Sequence, residues 1–488
     1  MTLVDSSFDL AGRPDLLAAL THRPLPRFAD AATACADRPT VTHPHAPGLD
    51  IVGQDALVPL VGGGEIAYAN LDHAASAPAL RVVHEAVERS IAGYASVHRG
   101  AGWHSKLSTA LYEGAREPVR AFVGGRADDT VIFTRNTTDS LNLLAHSIPR
   151  RTTVVVFESE HHAALLPWER QDGIDGRTVV RLPVPALPEL AVGAVDDALR
   201  RRAPGPALVV ITGASNVTGE LWPVAELARV AKARGARIAL DAAQLAPHRR
   251  FSIAELGVDY VAVSGHKLYA PYGAGVLVGR SDWLDAAPPY LIGGGATATV
   301  SETGTVYKTG PERHEAGSPN VAGAVALATA CHALATSDAT AREQAEAALT
   351  DTIRAGLAAI DGVSVHTLFS GAADSIGVVT FTVAGVPASI VAAALSAEHG
   401  IGVRDGAFCA HPLVRRLLGA AGCSDGTGPG QAVRVSVGLG STTEHAERLI
   451  AAVAEIAAHG PRVEYVVVDG RPVPADDDRP LPALAPWL

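Results

Sequence analysis

From about residue 66 to 280, short apolar runs rich in β-branched residues alternate with helical or loop segments. The runs fall at 131–134, 153–157, 207–212, 237–241 and 260–264, and each is apolar along most of its length rather than at every second position. Such runs predict parallel strands covered by helices on both faces. In sheets of that kind, ligand sites gather beyond the C-terminal ends of the strands. From about residue 323 the period changes. Residues 323–336 and 341–360 are Ala-rich and predict two long amphipathic helices, followed by strands near 363–368, 377–383 and 432–437. Residues 420–431 read as a Gly/Ser loop. The Pro- and His-rich residues 1–60 hold one helical stretch near 14–20, and the tail holds one strand at 463–469 before a Pro/Asp-rich end. There is no internal repeat. The predicted organisation is an N-terminal extension over 1–65 that packs on the main body, a large α/β domain over 66–322, a smaller C-terminal α+β domain over 323–460 and a tail over 461–488.

Composition narrows the function classes. The 488 residues carry a formal charge of −11, with no Lys/Arg-rich block. Nucleic acid is therefore not the expected partner, because phosphate binding needs a basic surface. The first residues carry acids and lack a long apolar run, unlike a secretory signal. No stretch of about 18 apolar residues predicts a membrane span. Four cysteines, Cys35, Cys331, Cys409 and Cys423, match neither a metal-site spacing nor a compact disulfide framework. Free thiols in a cytoplasmic protein are the expectation. Cys35, Cys331 and Cys423 read as structural.

Chemistry concentrates where strands end. Ser264-Gly265-His266-Lys267 closes one apolar strand. A lone lysine there is ordinarily a surface residue, but a desolvated amine can form an imine with an aldehyde cofactor. A second strand ends in Asp241-Ala242-Ala243-Gln244. Its carboxylate could cap a helix or pair with a pyridinium nitrogen, and both readings are open. After a third comes Glu158-Ser159-Glu160-His161-His162, where one histidine could stack on a flat cofactor. Adjacent histidines on an extended loop point apart, which disfavours chelation of one metal by both. A fourth strand turns into Arg135-Asn136-Thr137-Thr138. A helix start with hydroxyls can bind phosphate, or Thr137 can simply cap it.

Taken in this order, these four motifs resemble the class V aminotransferase family of fold-type I enzymes that use pyridoxal 5'-phosphate (PLP). Within that family they are similar to SufS-type cysteine desulfurases and selenocysteine lyases. The likeness spans about residues 66 to 455. It extends to LDHAA at 71–75, SVHRG at 96–100, SNVTGE at 215–220, SGHKLYAPYGAGVLVG at 264–279, GGGA at 293–296 and EAGSPN at 315–320. The resemblance implies that Lys267 forms the Schiff base, Asp241 pairs with the pyridine nitrogen and Gln244 bonds the phenolic oxygen. His161 would stack on the ring and shuttle protons. Thr137, Thr138, Ser264 and His266 would hold the phosphate, and Ser318 would reach the phosphate of a neighbouring subunit in a homodimer with shared active sites. Arg434 would fork onto the substrate α-carboxylate, with Asn216 and Arg404 beside it. Cys409 would take sulfur from cysteine as a persulfide, releasing alanine, with His411 or Arg404 supporting its thiolate. A sulfur-acceptor protein would follow. In relatives His-His commonly precedes this cysteine, whereas here Ala407-Phe408 does. Two other readings are a class V aminotransferase, epimerase or lyase that does not use Cys409, and a non-catalytic scaffold on the same fold.

Overall fold

A computed structural model describes residues 49–370, 373–419, 430–480 and 484. The helix expected near 14–20, Cys35, Cys423 and most of the 420–431 loop lie outside the described residues. The centre is a seven-stranded sheet built from β1 (Thr130–Thr134), β2 (Thr153–Phe157), β3 (Thr178–Leu182), β4 (Ala207–Thr212), β5 (Arg237–Asp241), β6 (Tyr260–Ser264) and β7 (Gly275–Gly279), in the order β1-β7-β6-β5-β4-β2-β3. The β2, β3, β4, β5 and β6 strands run parallel to one another, while β7 is antiparallel to both β1 and β6. Every residue of β2, β4 and β6 is buried. That is why these strands carry unbroken apolar runs.

Helices α1 (Arg81–Ile91), α2 (Thr137–Ser147), α3 (His162–Glu169) and α4 (Val224–Ala233) belong to this half. The second half holds an antiparallel sheet of β8 (Val363–His366), β9 (Val378–Val383), β10 (Arg404–Gly406) and β11 (Ala432–Ser436), in the order β8-β9-β11-β10. It is accompanied by α6 (Ala339–Ala358), α7 (Ala388–His399) and α8 (Thr443–His459). The helix before them, α5 (Val321–Thr336), differs from the amphipathic helix expected. Its buried residues, from Val321 through Ala324, Leu327 and Cys331 to Leu334, spread round the axis, because it packs on α1 as well as on the helices near residues 103–122. The tail strand, Tyr465–Val468, has a partner the sequence reading lacked, Arg471–Pro474, and the two form a hairpin. Among the described residues, no single helix is long and apolar enough to cross a membrane.

The two sheets meet through residues 69–77. Ala69 and Asn70 pair with Ile401 and Gly402, and Ser436 N–H donates to Leu71 O (2.7 Å). Ala77 N–H donates to His266 O (2.8 Å), so this one segment ties the second sheet to the end of β6.

Candidate active site

A cavity of about 600 Å³ opens beyond the C-terminal ends of β4, β5 and β6. Thr137, Thr138, His161, Asn216, Asp241, Gln244, Ser264, His266, Lys267, Arg404, Cys409, His411 and Arg434 all line it. Ser318 does not. It is exposed and borders a separate cavity of about 430 Å³.

Lys267 ends a short 3-10 turn that follows β6 directly. Gly265 permits that turn, since a Cβ there would stand 2.6 Å from Ala274 O. Burial lowers the Lys267 amine to about 8, against the pull of Asp241. At pH 7 roughly a tenth of the amine is thus in the nucleophilic, neutral form, far more than for an ordinary lysine. Asp241 is buried and takes an N–H bond from Ala243 (2.9 Å). Burial lifts its carboxyl above the usual range, opposed by that bond and by Lys267.

At the start of α2 the cap is Asn136, whose side chain accepts from Asp139 N–H (3.0 Å), so Thr137 is not the cap. Ser264 Oγ accepts from Thr137 N–H (2.8 Å) and donates to Thr137 Oγ1 (3.0 Å). The end of β6 and the start of α2 are thereby locked together at one end of the cavity.

His161 caps α3 by accepting from Ala163 N–H on Nδ1 (3.0 Å). Burial first, then the charge of Lys267, lowers its pKa to about 3. His161 is therefore a neutral ring with its proton on Nε2, suited to stacking or donating and poorly suited to carrying charge. Arg434, buried on β11, donates through Nη1 to Asn216 O (2.9 Å) and through Nη2 to Asp72 Oδ1 (3.2 Å). Its Nε–H is buried without a partner. The Phe408 ring lies 5.2 Å from its guanidinium carbon. Asn216 spends an amide N–H on Phe408 O (2.7 Å). Cys409 is exposed, with φ 52°.

Two acids here went unnoticed in the sequence. Asp72 belongs to LDHAA, but nothing in that string tells which arginine it meets. Glu160 sits in the EHH string and is 0% exposed. One oxygen accepts from Thr212 N–H (3.2 Å), whose register partner is Asp241, and the other has no partner. Burial, and then Asp241, hold its carboxyl well above the usual range.

These residues fit PLP. The cofactor asks for an amine, an acid opposite a pyridine nitrogen and hydrogen-bond donors around a phosphate. Lys267, Asp241 and the Ser264–Thr137 end of the cavity provide those groups. A cation in the cavity would also relieve the cost of burying Asp241.

The class-V aminotransferase profile matches residues 69–449. A probable cysteine desulfurase from Vibrio cholerae is 36% identical over 404 residues, covering 82% of this chain and 95% of that protein. A cysteine desulfurase from Dickeya dadantii is 35% identical, covering 81% and 93%. Among solved structures, the cysteine desulfurase CsdA from Escherichia coli superimposes with a TM-score of 0.69 at 31% identity, over 79% of this chain and 94% of that one. The apo cysteine desulfurase from Thermococcus onnurineus gives 0.71 at 31% identity, over 80% and 95%. This chain belongs to the class-V aminotransferase family of PLP enzymes and, within it, resembles the cysteine desulfurases.

Proposed function

We propose that this protein is a PLP-dependent cysteine desulfurase that moves the sulfur of L-cysteine onto Cys409 and releases alanine. The observation that carries this reading is one cavity holding Lys267, Arg434 and an exposed Cys409 together. Bound there, PLP would supply an aldehyde for imine exchange with amines and an electron sink for a carbanion.

The remaining work falls to the chain. Lys267 and Asp241 would hold the two ends of the cofactor ring, and Ser264, Thr137, Thr138 and His266 its phosphate. Arg434 would orient the substrate through its α-carboxylate, since a planar guanidinium can make two parallel bonds to it. Lys267, with its amine lowered to about 8, would take the α-proton near neutral pH and later return a proton to carbon. Cys409, as thiolate, would attack the substrate sulfur. The new S–S bond forms as the Cβ–S bond breaks. That bond's electron pair stays on carbon, which takes a proton to become the methyl group of alanine. Homodimer formation would bring Ser318 to a neighbouring cofactor, and a sulfur acceptor, then the protein's partner, would clear the persulfide.

The test is an amino-acid screen on the parent and on Cys409→Ala, scoring alanine, sulfide and keto acid separately. The expected result is alanine and sulfide from cysteine plus a reductant in the parent, with loss of both in Cys409→Ala. Undiminished sulfide from the variant, or turnover only with an added keto acid, would assign the protein to other class V chemistry.

A further inference from the structure

Residues 71–77, LDHAASA, bond to three parts of the site at once. Asp72 O accepts from Ala75 N–H (3.1 Å) and Ser76 N–H (3.4 Å), which makes the segment a tight turn. Ala74 N–H donates to Ser436 Oγ (2.9 Å), two residues beyond Arg434 on the same strand. Ala74 O accepts from Gln244 Nε2 (2.9 Å), and Ala77 N–H reaches the carbonyl of His266, the residue before Lys267 (2.8 Å). The Asp72 carboxylate is thus fixed with respect to both the arginine and the lysine.

Two placements decide what this carboxylate can do. Arg434 lines the Lys267 cavity, whereas Asp72 lines an adjoining cavity of about 570 Å³ that shares Arg404 and Asp405 with it. Asp72 therefore holds the guanidinium without itself lining the cavity that contains Lys267. Of the five N–H groups of a guanidinium, one is spent on Asn216 O and one on Asp72 Oδ1. The buried Nε–H is among those left without a partner. A side chain with many rotamers is expensive to immobilise on binding, and these two bonds immobilise it beforehand.

We propose that Asp72 is a positioning residue for substrate recognition, fixing the Arg434 guanidinium so that its unpaired Nε edge is left for an α-carboxylate. This rests on the reading of Arg434 as the carboxylate site. The hydrogen-bond acceptor at position 72 matters more than its charge, because the acceptor sets where the guanidinium stands.

The experiment uses the PLP-loaded enzyme and two amines that differ only in the carboxylate, L-alanine and ethylamine, titrated by the change in cofactor absorbance. Asp72→Ala should weaken L-alanine on the order of tenfold, the scale of one hydrogen bond to a charged group. Asp72→Asn, which keeps an acceptor, should stay within about threefold. Ethylamine should bind alike to all three proteins. With L-cysteine, the loss in Asp72→Ala should sit in KM rather than kcat. Should Asp72→Ala not fold, Asp72→Ser takes its place, being too short to reach the guanidinium. The inference fails if removal of the acceptor has no effect, if Asp72→Asn is as weak as Asp72→Ala, or if ethylamine weakens equally. Arg434→Gln is the separate control. If it leaves L-alanine binding unchanged, the carboxylate reading of Arg434 itself is wrong.

Discussion

Glu160 allows a sharp test of how this site handles charge. An ionised carboxylate can accept about four hydrogen bonds, yet Glu160, at 0% exposure, receives one, of 3.2 Å. Glu220 is a useful contrast. It is 4% exposed, and its two oxygens take the backbone N–H groups of Leu368 and Phe369. Glu160 lacks such a cradle and lies close enough to Asp241 to feel its charge, so it keeps its proton. Its pKa is raised in the folded protein. Between the unfolded value, near 4.5, and the folded one, the native state therefore binds one more proton than the unfolded state. Stability then falls as pH rises, by about 1.4 kcal/mol per pH unit for one proton. Gln has the same shape, keeps the Thr212 bond and cannot ionise. Stability of Glu160→Gln minus that of the parent should therefore be near zero at pH 4. It should then grow with rising pH, by about 1.4 kcal/mol per unit for as long as the parent's side chain stays protonated. The assay is urea unfolding of both apo-proteins side by side, with an infrared difference spectrum for the protonated-carboxyl C=O stretch, which Glu160→Gln should lose. Glu160→Ala should instead cost roughly 2–4 kcal/mol, because it leaves the Thr212 N–H without an acceptor and opens a cavity. A pH-independent difference for Glu160→Gln, with no infrared band lost, would show that Glu160 is ionised in the fold.

Two other expectations follow from the same geometry. Capture of PLP by the apo-protein needs the neutral amine of Lys267, so its rate should rise about tenfold per pH unit below about 8 and level off above it; a profile still climbing at pH 10 would contradict a burial-lowered amine. Asn216→Ala removes the donor to Phe408 O and leaves a buried carbonyl unpaired, at about 1–3 kcal/mol. Alkylation of Cys409 by iodoacetamide should then speed up by roughly tenfold as the loop loosens, and an unchanged rate would show that the bond does not restrain the thiol.

How far the chain could be read before folding depended on which physical signal each part carried. Strands β2, β4, β5 and β6 were legible because burial on both faces demands unbroken apolar runs. β3 was not, because it forms the sheet edge and Arg181 interrupts its run. β7 begins and ends in glycine, which reads as a loop. Gly275 is required for another reason, since a Cβ there would lie 2.5 Å from Asn136 Cα. In the site, Lys267 and Asp241 stood out because a charged residue directly after a buried strand is unusual. Asp72 and Glu160 did not, because an acid in a sequence is ordinary and only its surroundings give it meaning. For one of them those surroundings are a guanidinium from another sheet, and for the other the lack of donors.

The Ala407-Phe408 pair ahead of Cys409 also gains a physical account. Phe408 and Cys409 have consecutive positive φ angles, 51° and 52°, a conformation that costs non-glycine residues about 1–3 kcal/mol each. Two bonds from the first half hold the loop there: Asn216 to Phe408 O, and His162 N–H to Cys409 O, each 2.7 Å. In that conformation Phe408 is buried and its ring packs on the Arg434 guanidinium rather than facing outward. An apolar ring at that place excludes water from the arginine and so strengthens any bond it makes to a carboxylate. Two residues beyond Cys409, His411 lines the same cavity, and its ring stands 4.5 Å from that of His162.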